Sequence, residues 1–160
     1  MSRAQIARYA EQAPSLAIDA FGIAEDGVTP TGVADWVCSQ TRHPIVYSSS
    51  DPQDVERAQA HLGADRSSEL IEQFFGTLAV ELRRRGIGKI VCAGGETSGA
   101  IVTALEVKAM RIGPEIAAGV PALAVEDEDV LLVLKSGNFG DERFFETALA
   151  VLDGSIVAAC

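Results

Sequence analysis

Apolar positions along this chain recur with two different spacings, and the switch between them marks out the elements. Leu70, Ile71, Phe74, Phe75, Leu78 and Leu82 fall at helical intervals and form one stripe, which predicts a helix burying one face. Ser67 or Ser68 is its expected N-cap. Arg83, Arg84 and Arg85 fill its last turn, where cations suit the helix dipole, and Gly86 ends it. Lys89 to Ala93 (KIVCA) and Val130 to Leu134 (VLLVL) are instead unbroken apolar runs, as expected of short strands covered on both faces. Pro44 to Ser48 (PIVYS) reads as another strand. A helix follows it, with Asp51 as N-cap, Pro52 at the first helical position and Asp54 in the first turn, running to Leu62 and closing on Gly63.

Weaker patterns complete the order. Arg3 to Glu11 reads as a helix with Ile6 and Ala10 on one face, Leu16 to Ile18 as a short strand, and Gly27 to Gly32 (GVTPTG) as a turn before a helix from Val33 to Gln40 that carries Trp36 and Val37 inward. The strand ending at Ala93 leads into a loop, Gly94 to Gly99 (GGETSG), and a helix from Ala100 to Val107. Ala109 to Ile112 and Ala122 to Val125 are strand-like. Glu126 to Asp129 (EDED) is an acidic turn. Lys135 to Gly140 (KSGNFG) is a second glycine loop, after which Asp141 caps a last helix that keeps Phe144, Phe145, Leu149 and Leu152 inside. The tail, Ser155 to Cys160, has the composition of an edge strand. Strands alternating with helices predict an α/β fold of three layers, a mainly parallel sheet with helices on both faces. A hairpin around the acidic turn, between Pro121 and Lys135, would make the sheet mixed. The 160 residues amount to one domain.

Charge and cysteine content narrow the function. The net charge of −10 argues against nucleic acid and against an anionic membrane surface, both of which need a basic face. No apolar run reaches the roughly 18 residues of a membrane span. Cys38, Cys92 and Cys160 are odd in number and lack metal-ligand spacing, which points to a reducing, cytoplasmic setting and no disulfide framework. His43 and His61 have no nucleophile near them in sequence and read as surface or packing residues. The arginines at 83 to 85 read as a solvated helix end in preference to a phosphate patch, and EDED as a solvated turn in preference to a metal site.

The candidate chemistry lies in the two glycine loops. Both follow buried strands and precede helices, so both lie beyond strand carboxyl ends, where open α/β sheets bind ligands. Helix N-termini offer free N–H groups, and glycine lets an anion approach the backbone. Gly94, Gly95, Glu96, Thr97 and Ser98 form the first candidate cluster, and Lys135 with Gly137 the second. Thr97 and Ser98 add hydroxyl donors, and Lys135 adds a point charge. Either loop alone could be a plain tight turn; two together favour a phosphate ligand. Glu96 could hold Mg²⁺ or satisfy the helix that follows. Neither loop has the Walker or dinucleotide spacing.

These segments carry a resemblance. AGGETSGAIVTALEV, RIGPEI, GVP and LKSGNFG with a following FFETAL, together with QIARYAEQAPS and PIVYSSSDP, resemble the C-terminal half of the four-carbon acid sugar kinases across nearly the whole chain. The resemblance implies an ATP-binding domain working with Mg²⁺. It places Gly94, Gly95, Glu96 and Thr97 on the family's first nucleotide loop, Ser98 beside them, and Gly137 on the second. It also implies an N-terminal sugar-acid-binding domain, and a serine-rich nucleotide-contacting segment, that have no counterpart in residues 1–160. Ala117-Ala118 stands where an acid and a proline are expected. The implied function is the nucleotide side of phosphoryl transfer to a sugar acid, inactive without a separate sugar-binding domain or chain, so no catalytic base is assigned. The alternative is a non-catalytic module that binds a nucleotide or phosphate metabolite or acts through protein contacts. A wall of an interdomain cleft left uncovered predicts either a homodimer or a mobile segment between Met1 and Ser15.

Overall fold

The computed structural model describes residues 2–48, 51–137 and 139–154. The expected tail strand from Ser155 to Cys160 lies outside them, as does Met1. Among the described residues no helix is long and apolar enough to cross a membrane.

Among the described residues six strands form two sheets that lie side by side. β1 (Ser15–Ile18) and β2 (Ile45–Ser48) make a parallel pair, with Ser15 opposite Ile45. The larger sheet has the order β3-β6-β5-β4. In it β3 (Lys89–Ala93) runs parallel to β6 (Leu131–Lys135), while β5 (Val120–Val125) runs antiparallel to both β6 and β4 (Met110–Ala117). The sheet is therefore mixed. The hairpin expected around the acidic turn is present, closed by a Val125 N–H to Val130 carbonyl bond of 2.9 Å.

Helices cover both faces, because side chains alternate along each central strand. Val91, Val133 and Ala122 face α7 (Phe144–Gly154) and α1 (Ser2–Ala10), packing with Phe144, Phe145 and Tyr9. Cys92, Leu132 and Leu123 face the other way, towards α5 (Ala64–Arg84) and α6 (Gly95–Ala104), packing with Ala79 and Ile101. A third cluster joins β1 and α3 (Pro30–Ser39) to α5 through Ile18, Val33, Phe74 and Leu78. α1 is held at both ends: the buried Gln5 donates its amide to the Phe139 and Asp141 carbonyls at 3.1 and 2.7 Å, and the Tyr9 hydroxyl donates to the His43 carbonyl at 2.8 Å.

Several boundaries differ from expectation for local reasons. α3 begins at Pro30, inside the expected turn, because Thr29 caps it and accepts from the Gly32 N–H. A short helix, α2 (Ala20–Ala24), follows β1 with Asp19 as its cap. α4 (Pro52–Leu62) has the expected Asp51 cap. α5 starts at Ala64, at least four residues early, and Ser67 does not cap it; its hydroxyl bonds back to the Gly63 carbonyl at 2.7 Å. The arginines at its far end are paired within the fold: Arg83 with Glu128 at 2.7 Å, Arg84 with Glu81, and Arg85 with Asp35 at 2.7 Å. β4 extends through Gly113 and Pro114 by shifting register after Ile112. Proline is tolerated there because β4 is an edge strand.

Candidate functional site

β3 and β6 are adjacent and parallel, so the two glycine segments that follow them meet at one edge. Ala93 pairs with Lys135, and the Gly94 N–H donates to the Lys135 carbonyl at 2.8 Å. The first segment is less of a loop than its composition suggests. Only Gly94 is irregular, with φ +135°, and α6 starts at Gly95, so Glu96, Thr97, Ser98 and Gly99 lie in helix. A backbone at φ +135° suits glycine and strains other residues. It turns the chain at once from strand into helix.

The N-terminus of α6 has no side-chain cap, so its first amides lack an intrahelical partner and point along the positive end of the dipole. Gly95 is exposed, and a Cβ built on it would meet nothing within 4 Å. The space that a side chain at Gly95 would fill is open, which lets a phosphate oxygen approach the backbone there.

The neighbouring side chains divide between this edge and the interior. Glu96 is exposed and Thr97 half-buried. The Ser98 hydroxyl turns inward and donates to Cys92 Sγ at 3.4 Å. Burial pushes the Cys92 thiol above its ordinary range, and the Ser98 bond and the charge of Lys135 offset part of that. Lys135 is only 2% exposed. Its ammonium donates to the Ser136 and Gly137 carbonyls at 3.1 and 3.3 Å and sits 5.3 Å from the centre of the Phe144 ring. Desolvation lowers its pKa. Lys135 thus braces the second loop from beneath, with its charge directed at the carbonyls of Ser136 and Gly137.

A cavity of about 250 Å³ opens beside Glu96 and Thr97, walled by Asp19, Ser48, Asp54 and Glu72. Asp19 and Ser48 stand at the carboxyl ends of β1 and β2. Arg57 bridges Asp19 and Asp54 at 3.5 and 3.6 Å and covers the Phe21 ring. The carboxylates can accept hydrogen bonds from hydroxyl or amino groups, whereas the amides at Gly95 and Glu96 favour anions. Sequence patterning did not single out these residues as a site, although the places of Asp19 and Ser48 at strand ends were a usable signal. Among the described residues no group of three His, Cys, Asp or Glu side chains is arranged to hold a metal ion. His61 pairs with Glu25 at 3.1 Å, away from this edge.

The match to known proteins follows the same layout. Residues 1–145 match the family model of the nucleotide-binding C-terminal domain. A 3-oxo-tetronate kinase of Cupriavidus necator is 43% identical over 152 residues, covering 94% of this chain and 35% of that protein. A 3-oxo-tetronate kinase of Brucella melitensis is 40% identical over 148 residues, covering 91% and 34%. The crystal structure of a Haemophilus influenzae protein superposes with a TM-score of 0.86 at 36% identity, covering 94% of this chain and 37% of that one. The chain therefore spans about a third of the length of the curated relatives it matches.

Proposed function

Because this chain belongs to the nucleotide-binding C-terminal domain family, we propose that it binds ATP at the edge where β3 and β6 end and contributes the nucleotide side of phosphoryl transfer to a four-carbon sugar acid. The observation that carries this reading is the open, uncapped start of α6 at Gly95, joined through Gly94 to the second glycine loop at Lys135. The backbone amides of Gly95, Glu96 and Thr97 hold phosphate oxygens. Gly137 shapes the second loop, which Lys135 supports from below. The Thr97 hydroxyl is available to the same ligand, and Ser98 anchors α6 on Cys92.

Phosphoryl transfer depends chiefly on positioning and on neutralising charge. Mg²⁺ bound with ATP takes oxygens from phosphates and water and needs only one or two carboxylates. The single exposed carboxylate of Glu96 fits that demand. The relatives' name, 3-oxo-tetronate kinase, suggests the acceptor class. A sugar-acid-binding domain, in a longer form of the protein or in a second chain, completes the cleft, and residues 1–160 act as one nucleotide-binding domain. A cytoplasmic location accords with the use of ATP.

Calorimetric titration with ATP and Mg²⁺ tests the reading. Binding in the micromolar to millimolar range is expected, with amide shifts at Gly95 to Thr97 and at Gly137 in a parallel NMR titration. Unmoved amides at saturating ATP would sink it. The chain alone is expected not to turn over a panel of four-carbon acids.

A further inference from the structure

The two sheets present bare edges to one another. Among the described residues β2 bonds only β1, and β3 bonds only β6. Between these edges runs an apolar slot of about 510 Å³, with Ile45, Val46 and Tyr47 along one side and Ile90, Val91 and Cys92 along the other. Tyr9 and Phe145 close one face, and Leu78 and Leu82 the other. Both strands run the same way. Asp153 sits at their starting end, 2.6 Å from Lys89 and within electrostatic reach of His43. Ser48 and Ala93 lie at the finishing end, beside Thr97.

The shape and chemistry of the slot select its occupant. Each edge strand offers a row of N–H and C=O groups in need of partners, and only another extended backbone can bond both rows at once. Neighbouring strands lie about 4.8 Å apart, so one strand seated between two edges spans roughly 10 Å, and five residues of it extend about 17 Å. That length matches the five residues of β3. We infer that the slot receives a β-strand of about five residues, apolar on both faces and parallel to β2 and β3, which merges the two sheets into the order β1-β2-insert-β3-β6-β5-β4.

The geometry also indicates where the strand comes from. α1 begins at the finishing end of the slot, where Gln5 meets Phe139 and Asp141, and ends at the starting end, where Tyr9 meets His43. Ile6 and Tyr9 line the slot along the way. A strand leaving the slot therefore arrives at the front of α1 and needs only a short connection, the same strand-to-helix layout as β3 and α6. The relatives carry about two thirds of their length outside the part matched here. The inserted strand is the segment of that polypeptide which leads into α1. This inference does not depend on ATP binding.

The probe is a synthetic peptide of about ten residues, copied from the Cupriavidus necator kinase immediately ahead of the matched region. Hydrogen exchange on the purified chain, without nucleotide, should show amides of residues 45–48 and 89–93 slowed by about tenfold or more. A peptide with proline at its central positions should slow none of them. Fusing the same segment ahead of Ser2 should give the same protection and raise Tm. The inference is overturned if neither the peptide nor the fusion protects these amides. It also fails if protection falls on β4, the opposite free edge. A chain ending at Gly154 checks the remaining occupant: if that truncation alone exposes β2 and β3 to exchange, the chain's own tail fills the slot and the inference is wrong.

Discussion

Replacing Gly95 by valine separates the proposed phosphate cradle from the fold that carries it. Gly95 is the first residue of α6, its φ is not positive, and a Cβ there points into open space. Valine and glycine are both poor helix formers, so the change should move stability by only about 0.5 kcal/mol. In a chain of this size that shifts Tm by about 2 °C or less. The branched side chain would, however, occupy the place of a phosphate oxygen. Losing one charge-assisted hydrogen bond costs about 1.5–3 kcal/mol, which raises the Kd for ATP roughly 10- to 150-fold. Gly94→Val is the contrast. At φ +135° it should cost about 1–3 kcal/mol through backbone strain and lower Tm by several degrees. Calorimetry with ATP and thermal unfolding on the same samples read both effects. A Gly95→Val protein with unchanged Tm and unchanged ATP affinity would refute the placement of the phosphates.

Two further outcomes follow from buried contacts. Burial lowers the pKa of Lys135 in the folded chain, so between that value and the unfolded value of about 10.4 the unfolded chain holds the extra proton and stability rises with pH. Tyr9 is shifted upward by burial and then by Glu146 and contributes the opposite slope above about 10, so the effect is read as the difference between the parent and Lys135→Met. Urea unfolding over this range should show the slope shrink in the variant, and identical slopes would exclude a desolvated Lys135. Gly76→Leu tests the seating of α6. A Cβ at Gly76 already lies 3.1 Å from the Ala100 carbonyl oxygen and the Ala104 Cβ, so the larger side chain should cost about 1–3 kcal/mol and weaken ATP binding as α6 moves; parental stability and affinity would show that the two helices need no close approach.

The parts of this fold legible in the sequence are those whose signals are local. The run KIVCA followed by Gly94-Gly95 located the junction of β3 with the candidate site, and Asp51-Pro52 located the start of α4. The Thr29-Pro30 start of α3 was an equally good signal, but the flanking glycines made the segment read as a turn. The first turn of α6 was read as loop because Gly, Thr and Ser are weak helix formers. Here the backbone turn at Gly94 and the packing of Gly76 against Ala100 override propensity. Strand pairing is not local, so the sequence gives no sign that β1 and β2 stand apart from the larger sheet. The burial of Lys135 was hidden for the same reason, since Phe144 and the loop carbonyls reach it only in three dimensions. The acidic cavity draws on Asp19, Ser48, Asp54 and Glu72, which lie on separate elements.

The bonds from Gln5 to the Phe139 and Asp141 carbonyls have a kinetic consequence. They join residues 134 and 136 positions apart, and contacts of such separation pay their loop-closure entropy before they return anything. Local units such as α5 with α6, or the β4–β5 hairpin, can form without them, but the second glycine loop takes its final shape only after α1 docks. During synthesis at about 5–20 residues per second, roughly 7 to 27 seconds separate the emergence of Gln5 from that of Asp141. Throughout that interval the inner face of α1, with Ile6 and Tyr9, has no α7 to pack against. The nascent chain therefore carries an uncovered α1 through most of this domain's synthesis, and the proposed nucleotide edge is among the last parts of the domain to mature.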